Sequence, residues 1–454
     1  MLYESETGDI TIVLAGDIML TRRLSVYREE RFLALRELLH SGDVTFANFE
    51  SSAREYEEGT PSPTGATFMT TEPSLLEEIK WLGVNLVSCA NNHSYDYGEG
   101  GVLATIRNMR AKGIPFAGIG ANLGEARSPA YAESRGGRVA LIAATASFEE
   151  FNRAGEQRPD FRGRPGVNAL GSETTLVVDG AALGELKRIS SGLGFEAEKE
   201  RRRHFGFFPP HELAPDKEDE IRFLGRKFVA GDSFAIKARP NERDMTGILR
   251  QVTEARRQAD WVMVSLHCHE VGGRASYSAR TRQELEEPAE VVVEFAHRCI
   301  QEGADLFVGH GPHMTLGVEI YQGCPIFYSL GDFILQNETV RFFPAFPYQS
   351  FGMGTEATPA DYLDARSENN TKAHPGDPMY WETFCAVCRF EARKLAEVTL
   401  YPVDLGYGRP RPQRGRPLLA DEAVGQKIVH RVARLSRLYG TEVALVDGRG
   451  EVGV

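Results

Sequence analysis

Five short segments of the sequence end an apolar run in carboxylate, amide or imidazole groups. They are Gly16-Asp17, Asn48-Phe49-Glu50, Asn91-Asn92-His93-Ser94-Tyr95-Asp96, His267-Cys268-His269-Glu270 and Gly309-His310-Gly311-Pro312-His313, and three of them hold five of the eleven histidines. Carboxylate oxygen, neutral imidazole and amide oxygen are the donors that divalent ions such as Mn, Fe and Zn take, and a site poor in thiolates disfavours a structural zinc. Several such segments meeting at one sheet edge can hold two ions ~3.5–4 Å apart, clamping an attacking water and the oxygen that takes up charge. The spacing alone points to a dinuclear hydrolase.

Each residue has a plainer reading by itself. Asp17 after Gly16 can cap a turn, and Glu50 can be a solvated carboxylate. His267 and His269, i and i+2 on a strand, share one face and can decorate a surface. Gly311-Pro312 forces a turn that can bring His310 and His313 to one side. Taken together, five strand ends closing on ligand-type groups would have to coincide by chance.

The elements that position them follow from the apolar patterning. Strands are expected at Ile10–Leu14, Val44–Phe49, Asn85–Cys89, Pro115–Gly118, Arg138–Ala144, Trp261–Leu266 and Asp305–Val308. Helices are expected at Arg31–His40, Pro73–Leu82, Gly100–Lys112, Thr246–Gln258 and Arg282–Glu302. Val318–Tyr321 and Pro325–Ser329 flank Gln322-Gly323, and two strands and a helix near Asp421–Leu438 close the chain. Alternating strands and helices define an α/β core, with ligand sites at strand ends. Between 148 and 243 the periodicity fades and Pro, Gly, Arg and Glu accumulate, which marks an insertion carrying a few helices. Its arginines, Arg153, Arg158, Arg162, Arg164 and Arg201 to Arg203, can hold an anionic substrate or be neutralised by neighbouring glutamates. Gly98, Gly100 and Gly101 can admit a phosphate at a helix start. Tyr95 and Tyr97 can stack on substrate or pack.

The 454 residues carry 52 basic and 64 acidic side chains, a formal net charge of −12. That balance speaks against electrostatic binding of nucleic acid or anionic lipid. No run approaches the ~18–20 apolar residues of a membrane span, and Met1 to Asp9 has three acidic groups and no Lys or Arg, so a cytoplasmic address is expected. Six cysteines fit a reducing compartment. Cys385 and Cys388 lie on a strand, where i and i+3 point to opposite faces, and are read as packing residues.

Gly16-Asp17-Ile18-Met19, Ala47-Asn48-Phe49-Glu50, the run from Cys89 to Gly98, Val308-Gly309-His310-Gly311-Pro312-His313 and the run from Pro325 to Phe333 resemble the bacterial capsule synthesis protein CapA family. That family is associated with poly-gamma-glutamate synthesis and related to the calcineurin-like metallophosphoesterases. The likeness runs from about Asp9 to Gln336 and is interrupted by the insertion. It implies a four-layer α/β/β/α sandwich of metallophosphoesterase type. The core would occupy 8–147 and 244–410, the insertion 148–243 would be a candidate lid, and 411–454 a C-terminal helical and β extension.

By motif, the resemblance makes Asp17 a metal ligand and gives Glu50 the carboxylate place that bridges two metals. Asn92 becomes the amide ligand, His267 a ligand, and His310 with His313 the closing pair. His93 would stabilise or protonate the leaving group, with Asp96 orienting it. Three departures stand out. Met19 replaces the histidine of the phosphoesterase Asp-x-His pattern, and methionine ligates these ions poorly. Either His269 or Glu270 compensates, or the second metal is weak or absent. The closing histidines are i and i+3 instead of i and i+2. Asp332 stands where many members have Asn, adding a carboxylate to the site or capping a turn.

The expected protein is therefore a soluble metal-dependent hydrolase that uses a metal-activated water on a phosphoester or amide. It would hold two Mn, Fe or Zn ions, or one, and take an anionic small-molecule or oligomeric substrate. The alternative is an accessory factor in poly-gamma-glutamate or capsule synthesis that does not turn over.

Overall fold

The run Ile10–Leu14 extends into a ten-residue strand, Ile10–Met19, inside a ten-stranded sheet. The computed structural model describes residues 5–63, 67–206 and 217–454; residues 207–216 of the expected insertion and the first four residues of the Met1–Asp9 segment lie outside the described residues. Ile10–Met19 is buried almost throughout, which suits its apolar side chains on both faces. It pairs in parallel with Val44–Phe49 and antiparallel with Glu382–Glu391. Beyond Val44–Phe49 lie Leu86–Ser88 and Phe116–Ala117; beyond Glu382–Glu391 lie Lys394–Asp404, Arg449–Val452 and Val443–Val446.

A six-stranded sheet runs in the order Val318–Tyr321, Cys324–Phe327, Leu306–His310, Trp261–His267, Gly137–Thr145, Ala130–Ser134. Its four central strands are parallel and its two edge pairings antiparallel. Side chains alternate across each strand. Ile12, Leu14, Val44 and Phe46 of the large sheet thus share one apolar cluster with Leu141, Met263, Leu306 and Val308 of the other sheet. Val13 and Ala15 face the opposite way, clustering with Phe32, Leu35, Ile79 and Ile106 from helices Glu30–His40, Leu76–Leu82 and Gly98–Lys112. The far face of the six-stranded sheet, with Ile142, Val264 and Phe307, packs on Ile248, Val252 and Phe295 from helices Glu242–Gln258 and Glu290–Gln301. Burying each such side chain contributes about 1.5–3 kcal/mol. The mixed α/β class read from the sequence is therefore the class observed.

Cys385 and Cys388 are free thiols and belong to different clusters, Cys385 on the helix side of its sheet and Cys388 between the sheets. Two expectations need correction. The helix expected over Arg282–Glu302 is two helices, Arg282–Glu286 and Glu290–Gln301. Pro288 lacks an N–H and drives Glu287 into the extended region, φ −107° and ψ 131°. The insertion carries more than helices: it contains a four-stranded sheet in the order Glu220–Phe223, Arg226–Ala230, Ser172–Val178, Ala235–Pro240 beside helices Gly180–Gly192 and Phe195–Phe205. No helix among the described residues is long and apolar enough to cross a membrane.

Candidate functional site

The C-terminal ends of five strands from the two large sheets converge, and with them the segments singled out above. Asp17 reaches the site through an irregularity in its strand, where the register shifts between Leu14 and Asp17. Gly16 permits this, because a Cβ there would lie 1.8 Å from the Gly331 carbonyl oxygen. Asp17 is fully buried, and its carboxylate accepts from Asn48 Nδ2 at 2.7 Å and from the Gly311 N–H at 3.3 Å. His267 and His310 sit opposite each other on adjacent strands, their Nδ1 atoms 3.0 Å apart. Ser265 Oγ meets His310 Nε2 at 2.7 Å and fixes its ring.

Three groups of potential ligands overlap: Asp17, His267 and His310; Glu50, His267 and His269; and Asp17, Glu50, His313 and Asp332. Within each group the ligand atoms lie within 4.8 Å of one another. Asp17, Glu50 and His267 each belong to two groups. His313, with a left-handed φ of 61°, bonds Asp332 Oδ1 through Nδ1 at 2.8 Å. Asp332 thus lies among the candidate ligands. Strain at such a residue persists only where the surroundings hold it in place.

The neighbouring turn separates two adjacent amides. Asn91 is structural: its Oδ1 accepts from the His93 N–H at 3.1 Å and its Nδ2 donates to Phe49 O at 2.8 Å. Asn92 Oδ1 is buried with no partner. His93 Nδ1 pairs with Asp96 Oδ2 at 2.7 Å, leaving Nε2 directed toward Glu50 Oε1 at 3.8 Å. Asp96 Oδ2 is itself held by the Met69 N–H at 2.7 Å.

The electrostatics fit a cation. Both Glu50 oxygens are buried without a hydrogen-bond partner, as is Asp332 Oδ2. Burial, then the Asp332 carboxylate, pushes Asp17 up to about 7. Burial, then Asp17, holds Glu50 well above the usual carboxylate range. Burial depresses His267, His269 and His310, the last to about 3, which keeps these rings in the neutral form that ligates metal. Buried carboxylates without a counter-charge are costly, and divalent ions offset that cost. The donor set therefore fits Mn, Fe or Zn.

Asn92, His93, Asp96, His269 and His313 line a cleft of about 600 Å³, joined by Met19 and Glu270. Glu270 belongs to none of the three ligand groups, whereas His269 does. A larger cavity of about 810 Å³, lined by Arg54, Tyr56, Tyr97 and Phe342 among others, contains none of the ligand groups.

Several functional-site candidates were not in the ligand set read from the sequence. Asn48 bonds Asp17 directly, and His374 lines the cleft with its ring 4.8 Å from that of His313. Arg366, also on the cleft, donates to Thr67 Oγ1. His374 and Arg366 come from the short helices Ala373–Gly376 and Pro359–Arg366, which no strand end marks. Other expectations give way. At the start of the helix beginning at Gly98, the Gly59 backbone lies close to Gly100, where a Cβ would meet Gly59 Cα at 2.7 Å. Tyr95 and Tyr97 are buried, and Tyr97 lies under the Arg54 guanidinium at 3.8 Å. The insertion arginines Arg153, Arg158, Arg202 and Arg203 are ion-paired with Glu150 and Asp244, Asp160, Glu198 and Glu200 respectively.

This architecture and these strand-end motifs agree with the class given by sequence comparison. Residues 11–337 match the family of bacterial capsule synthesis proteins, PGA_cap, and the chain belongs to that family. The chain is 32% identical over 453 residues to the uncharacterized protein y4sH of Sinorhizobium fredii, covering 97% of this chain and 92% of that one. It is 22% identical over 331 residues to the PGA biosynthesis protein CapA of Bacillus subtilis, covering 72% of this chain and 63% of CapA. It is 25% identical over 268 residues to a probable polyglutamine synthesis accessory protein of Mycobacterium tuberculosis, covering 59% of this chain and 50% of that protein. Arg366 and His374 lie beyond the family match.

Proposed function

We propose that the protein is a metal-dependent hydrolase of phosphoesters. The observation that carries this reading is Glu50: a fully buried carboxylate with neither oxygen hydrogen-bonded, shared between two groups of candidate ligands. The proposed ligands are Asp17, Glu50, Asn92, His267, His269, His310 and His313, with Asp332 added, for two ions of Mn, Fe or Zn. If Met19 costs one position, a single ion remains. When bound, such ions supply an activated water and positive charge at the oxygen that becomes negative.

The remaining roles belong to the chain. His93 delivers a proton to the leaving oxygen from Nε2, while Asp96 holds Nδ1 and orients the ring. Asn48 and the Gly311 N–H fix the Asp17 carboxylate, and Ser265 fixes His310. The strand-end convergence supports a four-layer α/β/β/α arrangement of metallophosphoesterase type. The division into a core at 8–147 and 244–410, an insertion at 148–243 and an extension at 411–454 belongs to the same proposal. So do an anionic substrate and a cytoplasmic address.

Amide hydrolysis would draw on the same groups. A second reading, an accessory factor in poly-gamma-glutamate or capsule synthesis, is favoured by the family description and by the names of the relatives from Bacillus and Mycobacterium. Turnover separates the two. The Mn-loaded full chain is expected to hydrolyse a member of a panel of phosphomonoesters, phosphodiesters and γ-glutamyl amides ~10²-fold or more faster than the chelated chain. A metal-loaded protein inert toward the whole panel would favour the accessory role.

A further inference from the structure

The sheet of the insertion presents a cation, Arg226, that no other side chain among the described residues engages. Its strands Glu220–Phe223 and Arg226–Ala230 form a hairpin in which Phe223 lies opposite Arg226, so the turn consists of Leu224 and Gly225. Both have left-handed φ, 49° and 74°. This is the geometry that tight two-residue hairpin turns demand and that glycine adopts at no cost. The hairpin is anchored at its base. Ile221 is buried with Val178 and Leu183, Arg226–Ala230 runs parallel to Ser172–Val178, and Phe223 meets Phe195 edge-on at 5.3 Å. That anchoring fixes where Arg226 emerges: on the cleft that also holds Asn92, His93, His269 and His313.

Neighbouring cations are committed elsewhere. Lys227, next along the strand, pairs with Glu220 at 3.2 Å, and Arg153, Arg158, Arg202 and Arg203 are ion-paired as described above. Among the described residues no carboxylate pairs with Arg226, although Glu149 and Glu270 line the same cleft. An exposed arginine at a hairpin tip is ordinarily just solvated. This one is held at the rim of a cleft with a cluster of candidate metal ligands at its floor. Its guanidinium presents a planar fork of donors matched to two oxygens of one carboxylate or phosphate.

We propose that Arg226 is a specificity-determining residue that binds an oxyanion, carboxylate or phosphate, carried by the substrate away from its scissile phosphoester. The proposal rests on the hydrolase reading above and gives the insertion a task, supplying one wall of the site. The substrate class is then a phosphoester with a second negative group.

Three probes test it on the Mn-loaded full chain: phenyl phosphate, 4-carboxyphenyl phosphate and 1,4-phenylene bisphosphate. Equilibrium binding to the His93→Ala protein and KM on the wild type are both read. A charge-assisted pair predicts that at least one doubly anionic probe binds ~10–100-fold tighter than phenyl phosphate. Arg226→Ala should bring that ratio to about one, and Arg226→Lys should restore part of it. The probe that shows the ratio identifies the oxyanion. Equal affinities for all three probes in the wild type, or a preference that survives Arg226→Ala, would overturn the proposal while leaving the hydrolase reading intact. A wild type that neither binds nor hydrolyses phenyl phosphate would overturn both.

Discussion

Glu50→Gln is expected to abolish turnover, by a factor on the order of 10³ or more, and to remove the thermal stabilisation that added Mn or Zn gives the wild type. Binding at a hundred times Kd stabilises a folded protein by about 2.7 kcal/mol, and this increment should vanish with the ligand. The same substitution should not lower the melting temperature of the chelated protein. Glu50 accepts no hydrogen bond and is fully buried, so its charge costs stability when no cation is present. Glutamine keeps the shape and removes the charge. Differential scanning fluorimetry of both proteins, in EDTA and in Mn, checks the pair of outcomes. A metal-induced shift as large in Glu50→Gln as in the wild type would remove Glu50 from the ligand set.

His93→Ala is expected to keep its metal and lose turnover by ~10²–10⁴-fold, the range over which a positioned general acid acts. His93 belongs to none of the ligand groups, and its Nδ1 is occupied by Asp96 at 2.7 Å. Metal content and turnover should therefore separate in this variant. Asp96→Asn should fall between His93→Ala and the wild type, since the ring remains but loses the carboxylate that orients it. Metal analysis beside steady-state rates gives the answer. An unchanged rate in His93→Ala would exclude proton delivery by this residue, and a loss of metal would make it a ligand.

The strand ends were readable in the sequence because each apolar run stops abruptly at a donor. Asp17, Glu50, His267 and His310 each had a plainer reading alone, but together they marked one site, and the fold brings all four into overlapping groups. The same logic could not find His374 or Arg366, which reach the cleft from short helices, Ala373–Gly376 and Pro359–Arg366, with no β signal before them. Asn48 was visible as part of its segment, but its role depends on a bond to Asp17 across two strands, which local pattern does not encode. The insertion's sheet was missed for a different reason. Its strands are half-exposed, with mixed patterns such as Glu220-Ile221-Arg222-Phe223, and among the described residues its buried cluster is Ile221, Val178 and Leu183. The break at Pro288 was available to the sequence reading and was overridden by the strong helical periodicity on either side of it.

The central claim is that this donor set holds metal. Elemental analysis of the purified full chain, after dialysis to remove loose ions and reloading with Mn or Zn, tests it most directly. The account predicts two transition ions per chain, with a single ion meaning that Met19 has cost one position. No bound metal after reloading would contradict it.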